Sequence, residues 1–167
     1  EADNLAVKGI ALARRERRAS RTRVVTSAIE HHAVLDSAAD LARYDGFTAQ
    51  QVPVDPSGTV TPDAFRAALS GDDDVAVASV MLANNEVGSV QDVATLAEMA
   101  AEYNVPLHTD AVQAAGTLPL DVRALGVSAL SLAGHKIGTP PGIGLLWLRR
   151  GTPLRPLFSG GGHERGR

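Results

Sequence analysis

Four apolar runs of this chain end in residues that can do chemistry. "VVTSAI" is followed by Glu30, His31 and His32, and "VASVMLA" by Asn84, Asn85 and Glu86. "VPLHT" is followed by Asp110 with Gln113 just beyond, and "SALSLAG" by His135 and Lys136. A loop explains one such end; four alike call for a common purpose. Lysine is also scarce, since of 16 basic residues only Lys8 and Lys136 are lysines. An arginine supplies a permanent charge and a rigid fork, whereas a desolvated lysine loses its proton and attacks a carbonyl. Position 136 therefore reads as one that needs an amine.

Each residue has a bland reading on its own. Lys136 is then a surface lysine after a strand, His31 a helix-start histidine, Asp110 the cap of a turn, and Asn84 and Asn85 turn formers. Together they offer an amine, a carboxylate, an amide pair and an imidazole, which is what a pyridine aldehyde cofactor needs. The lysine joins the aldehyde of pyridoxal phosphate, and a carboxylate keeps the ring nitrogen protonated so that the ring draws electrons. Lys136 and Asp110 suit those two roles. His31 suits stacking on the ring, and Asn85 or Gln113 a hydrogen bond at the ring hydroxyl.

These residues must be brought to one place, and the elements between them say how. Residues 2 to 18 carry Leu5, Ala6, Ile10 and Ala13 at helical spacing, with arginines in the last turns, where cations suit the helix dipole. Strands are expected at "TRVVTSAI", "FTAQQVPV", "VAVASVMLA", "VPLHTD", "SALSLAG" and "IGLLWLRR". Helices are expected at "HAVLDSAADLARYDG", closed by Gly46, and at "TPDAFRAALSG", with Thr61 as N-cap, Pro62 at the first helical position and Gly71 as stop. Two more are expected at "DVATLAEMAAEYN" and "DVRALG". This alternation predicts a three-layer α/β/α fold around a mostly parallel sheet, with ligands bound beyond the carboxyl ends of the strands.

Composition narrows the class. The chain has 167 residues, 44% of them hydrophobic, enough for one buried core. Its apolar runs are too short to span a bilayer, which makes cytoplasm the expected location and excludes a membrane partner. No cysteine is present, so disulfides, thiolate metal sites and a cysteine nucleophile are excluded within these residues. A net charge of −3 speaks against nucleic acid, and the arginine-rich "ARRERRASRTR" reads as the solvated end of a helix. A P-loop is excluded because its glycines precede the lysine, whereas here Lys136 precedes "GTPPGIG".

In order along the chain, "EADNLAVKG", "IEHHAVLD", "NNEVGSVQDV", "HTDAVQAAG", "LAGHKIGTPPGIG" and "SGGGHERGR" resemble the large domain of class V aminotransferase-like enzymes, most nearly the NifS-like cysteine desulfurases. The resemblance runs from Glu1 to Arg167. It implies that Lys136 carries pyridoxal 5'-phosphate, that His31 stacks on the ring and handles protons, and that Asp110 partners the ring nitrogen. Asn85 and Gln113 would contact the ring hydroxyl side, Asn85 also the substrate carboxylate, and His135 would lie at the phosphate. The implied reaction takes sulfur from L-cysteine, releases alanine and holds the sulfur as a persulfide before passing it to an acceptor such as an iron-sulfur scaffold protein. A homodimer is implied.

Two departures accompany the resemblance. Ala133 stands where the family has a serine or threonine that contacts the phosphate. The chain also begins just after the position of the family's Gly-Gly-Thr phosphate cup, and it lacks the small domain and the loop with the persulfide cysteine. The expectation is an internal piece of the large domain, itself inactive. The other readings are a different class V enzyme, an aminotransferase or a selenocysteine lyase, and a non-catalytic fragment or pseudoenzyme.

Overall fold

Short apolar runs bounded by turn residues form strands here, and longer amphipathic stretches form the helices between them. The computed structural model describes residues 1–71, 73–158 and 160. Its strands are β1 (Arg23–Ser27), β2 (Thr48–Val52), β3 (Val75–Ser79), β4 (Leu107–Asp110), β5 (Ala129–Ala133) and β6 (Gly144–Leu148). Its helices are α1 (Ala2–Arg17), α2 (His32–Tyr44), α3 (Pro62–Leu69), α4 (Val93–Glu102) and α5 (Val122–Leu125). The motif "SGGGHERGR" lies outside the described residues apart from Gly160.

The six strands form one sheet in the order β2-β1-β3-β4-β5-β6. Neighbours from β2 through β5 run parallel, and β6 returns antiparallel to β5, from Ala129 opposite Leu148 to Ala133 opposite Gly144. The three-layer α/β/α fold expected from the sequence is the fold observed. One face packs α1 and α2 through Val7, Ile10, Val34 and Leu41 onto Val24, Ala76 and Ala129. The other packs Phe65 of α3 and Leu96 of α4 onto Val25, Leu107 and Leu130. Val24 and Val25, adjacent on β1, go to opposite cores, as the period of two requires.

Local signals sit where the sequence places them, with small shifts. Thr61 caps α3 by accepting from the Ala64 N–H, and Pro62 occupies its first turn. Gly46, at φ +69°, follows α2 in the left-handed conformation that ends many helices. Helix α3, however, closes at Leu69 with Ser70 as its C-cap, two residues before the expected stop at Gly71. Lys8 does not merely reach for solvent: its Nζ bonds Asp40 of α2 at 2.7 Å and ties the two helices on that face. Part of the arginine-rich stretch is not a solvated helix end either. Arg21 is 2% exposed, donates to the Val75 carbonyl at 2.7 Å and pairs with Asp73, while Arg23 pairs with Asp74 at 2.7 Å.

One side chain fastens the carboxyl ends of β1 and β3 together. Glu30 Oε1 accepts from the Ser27 hydroxyl at 2.5 Å and from the Met81 N–H at 2.6 Å, across 51 residues of chain. The side chain is buried, and burial pushes its carboxyl up from an ordinary 4.5 to about 8, against the pull of those two hydrogen bonds. The folded protein therefore keeps this proton to higher pH than the unfolded chain does. The resulting stability is full below pH 4.5 and is lost as pH rises through about 8, at roughly 1.4 kcal/mol per pH unit between them. We expect urea midpoints to fall from pH 6 to pH 9 in the wild type and to fall less in Glu30→Gln, which keeps an acceptor and cannot ionise. Equal pH slopes in the two proteins would contradict the burial of this group.

Candidate active site

The sheet reverses direction at β1. The chain goes from β1 through α2 to β2 on one side, then returns through α3 to β3 on the other side of β1. Right-handed crossovers place the helices of these two moves on opposite faces, which opens a crevice beyond the ends of β1 and β3. A cavity of about 420 Å³ lies there. Its walls include His31, Asn85, Asp110, Gln113, His135 and Lys136, all six candidate residues from the sequence. Four strand ends meet at one place.

Asp110 ends β4 and is 4% exposed. Its Oδ1 accepts from the Val112 N–H at 2.8 Å, so it does cap the turn after its strand while also facing the cavity. Burial pushes its carboxyl up from 3.8 to about 6, with Asp3 pushing the same way and the Val112 N–H and His31 opposing. His31 is the N-cap of α2, where Nδ1 accepts from the Ala33 N–H at 3.1 Å. That bond occupies the Nδ1 lone pair, so the ring hydrogen of the neutral form sits on Nε2.

The amide pair divides its work. Asn84 builds the turn: its Oδ1 accepts from the N–H groups of Glu86 at 2.7 Å and Val87 at 2.9 Å. Its Nδ2 donates to the Ile29 carbonyl at 2.8 Å and so ties this turn to the end of β1. Asn85, one residue on, is left to line the cavity.

Lys136 and His135 lie in a 3₁₀ turn, Gly134–Lys136, that follows β5 directly. The Gly134 carbonyl accepts from Ile137 at 2.9 Å and Thr139 at 3.1 Å, and a Cβ at Gly134 would collide with the Thr139 hydroxyl. A larger residue before the His-Lys pair would thus have to displace the Thr139 hydroxyl and press on Ile143. The chemistry of position 136 predicts a desolvated amine, but Lys136 is exposed at the cavity rim. The turn projects past the end of the sheet, and the described residues leave that side of the cavity open. Ala133 also lines the cavity and brings no hydroxyl to it.

Three polar residues beneath the site lie outside the motifs' predicted roles. Glu30 enters the sequence pattern only as part of a strand end. His108 is fully buried on β4, with Nδ1 2.9 Å from Ser79 Oγ and Nε2 2.8 Å from Ser131 Oγ, bridging β3 and β5. Asp3, in the first turn of α1, is 8% exposed and lines the cavity. The available signal was an acidic and an imidazole side chain inside segments otherwise read as buried, "ADNLAV" and "VPLHTD".

This architecture has relatives. The family model for aminotransferase class-V matches residues 1–165. The chain is 52% identical over 165 residues to an IscS-like cysteine desulfurase of Mycobacterium tuberculosis, covering 99% of this chain and 42% of that protein. It is 42% identical to the cysteine desulfurase NifS of Azotobacter vinelandii, covering 100% and 40%. Among solved structures, a NifS-like protein superposes with a TM-score of 0.89 at 36% identity, covering 99% of this chain and 44% of that one. SspA, solved in complex with cysteine, superposes with a TM-score of 0.88 at 35% identity, covering 99% and 46%. The chain spans about 40% of the length of the curated relatives it matches. A sheet that reverses at β1, a carboxylate buried at the end of β4 and a lysine turn after β5 thus stand in a chain that belongs to the aminotransferase class-V family.

Proposed function

We propose that these residues form the central part of the large domain of a pyridoxal-phosphate-dependent cysteine desulfurase. The observation that carries this reading is the convergence of Lys136, Asp110, His31, Asn85, Gln113 and His135 on one cavity. That donor set fits the cofactor: an amine for its aldehyde, a buried acceptor for its ring N–H, an imidazole for its face and amides for its hydroxyl. Lys136 and Asp110 would hold it at opposite ends of the ring, with Asn85 and Gln113 along the hydroxyl side and His135 at the phosphate. Ala133 offers the phosphate no hydroxyl, so its remaining contacts carry more of the binding. When bound, pyridoxal phosphate supplies an electron sink for the carbon atoms of an amino acid substrate.

The residues divide the remaining work. Asp110 holds the proton at the ring nitrogen, and its burial keeps that charge pair out of competing water. His31, with Nδ1 committed to the Ala33 N–H, carries its transferable proton on Nε2. Asn85 stands on the rim of the cavity, where a substrate carboxylate can reach its amide. The net reaction moves one sulfur atom: L-cysteine becomes alanine, and a cysteine thiol of the enzyme becomes a persulfide. Residues 1–167 contain no cysteine, so that thiol comes from elsewhere in the enzyme. The full enzyme is read as a cytoplasmic homodimer, and the naming of relatives as IscS and NifS supports transfer of its sulfur to an iron-sulfur scaffold protein. Among the described residues no helix is long and apolar enough to cross a membrane.

The full-length enzyme supplied with pyridoxal phosphate and L-cysteine should release alanine, and sulfide when a thiol reductant is present. Absence of alanine with cysteine, together with turnover of another amino acid, would overturn the choice of reaction. Asp110→Asn should still capture the cofactor but lose turnover about a hundredfold, because buried electrostatic contacts of this kind contribute on the order of 3 kcal/mol. Steady-state alanine release measures this, and unchanged turnover would contradict the role of Asp110.

A further inference from the structure

Asp3 is an expensive residue: it is 8% exposed, and its Oδ1 has no hydrogen-bond partner among the described residues. The nearest cationic candidate, His108 Nε2, is 3.7 Å away, beyond hydrogen-bond reach, and already engages Ser131 Oγ at 2.8 Å. A buried polar atom left unsatisfied in a site wall points to a use. Helix α1 aims this carboxylate at the same side of β4 from which Asp110 faces the cavity. His108 and Asp110 are two residues apart on β4, so their side chains share a face, and both Asp3 and Asp110 line the cavity. His108 cannot swing away, because Ser79 and Ser131 hold both of its ring nitrogens.

We infer that Asp3 is a positioning residue for Asp110, a second buried carboxylate whose charge sets when Asp110 gives up its proton. The inference rests on the reading of Asp110 as the carboxylate that faces the cofactor ring. Other groups around Asp110 do not duplicate Asp3. Glu30, from the end of β1, is held protonated to about pH 8 by its burial, and His108 is pushed down to about 4 by its own, so both are uncharged near neutrality. His31 opposes Asp3 by favouring the ionised form of Asp110, while His135 and Lys136 stand on the exposed rim. Asp3 therefore raises the proton affinity of Asp110, the group read here as facing the ring nitrogen.

The charge of Asp3 raises the proton affinity of both Asp110 and His108. Removing it lowers both, whereas letting water into the site lowers Asp110 and raises His108, because desolvation acts oppositely on an acid and a base. The test is an NMR titration of the cofactor-free full-length enzyme, with aspartate carboxyl carbons labelled with carbon-13 and histidine with nitrogen-15. Asp110→Asn assigns the Asp110 resonance. In Asp3→Asn both midpoints should fall, by about one pH unit for Asp110, and Asp3→Glu should restore them. No movement at Asp110, or a fall at Asp110 with a rise at His108, would overturn the inference. In the wild type, without any variant, the Asp110 carbon should show the inflection of a coupled neighbouring carboxylate beside its own, as interacting sites do. A single independent step would overturn the inference equally. Because these readings need no cofactor, failure to capture pyridoxal phosphate counts against the functional reading alone.

Discussion

A carboxylate taken out of water costs several kcal/mol unless hydrogen bonds or charges compensate it. This fold buries carboxylates where β1 and β4 end, at Glu30 and Asp110, with Asp3 beside them. Glu30 lowers the cost by staying protonated while its Oε1 joins two strand ends, although its Oε2 has no hydrogen-bond partner among the described residues. Asp110 meets part of it with a backbone N–H and keeps the remainder as a raised proton affinity directed into the cavity. The crevice depends on both. Without the Glu30 contacts, the ends of β1 and β3 lose one of two side-chain links, the other running from Asn84 to the Ile29 carbonyl, and without Asp110 the cavity keeps Asp3 alone as a buried carboxylate.

Topology supplies the rest of the arrangement. Parallel strands deliver their carboxyl ends to one edge, and the reversal at β1 keeps helices from covering it. The loops can then differ in what they carry: a helix N-cap histidine after β1, an amide turn after β3, an Asx turn after β4 and a 3₁₀ lysine turn after β5. Each is rigid for a local reason. His31 is held by the Ala33 N–H, the Asn84 turn by hydrogen bonds of the Asn84 side chain to Ile29, Glu86 and Val87, and the lysine turn by the Gly134 carbonyl.

Much of this was legible in the residues. Strand runs, the Thr61 and Pro62 start of α3 and the six cavity residues follow from local patterns, because turn chemistry and apolar periodicity act within a few positions. What was not legible depends on distant partners. Lys8 pairs with Asp40 across two helices, Arg21 with Asp73 across 52 positions, and Glu30 with Met81 across 51. The antiparallel return of β6 is equally invisible, since "GLLWL" carries no mark of its direction. The exposure of Lys136 reflects how far its turn projects, a matter of three-dimensional shape rather than of neighbours in sequence.

On the proposed function, Lys136 and not Lys8 is the amine that takes the cofactor. Lys8 lies on α1 with its amine held by Asp40 at 2.7 Å, away from the cavity walls, while Lys136 is part of them. The direct measurement is reductive trapping: full-length enzyme incubated with pyridoxal phosphate, reduced with borohydride, digested, and its labelled peptide identified by mass spectrometry. A visible absorption band before reduction and label on the peptide containing Gly134, His135 and Lys136 are expected, with both lost in Lys136→Ala. Label on Lys8, or an undiminished band in Lys136→Ala, would contradict this role of Lys136.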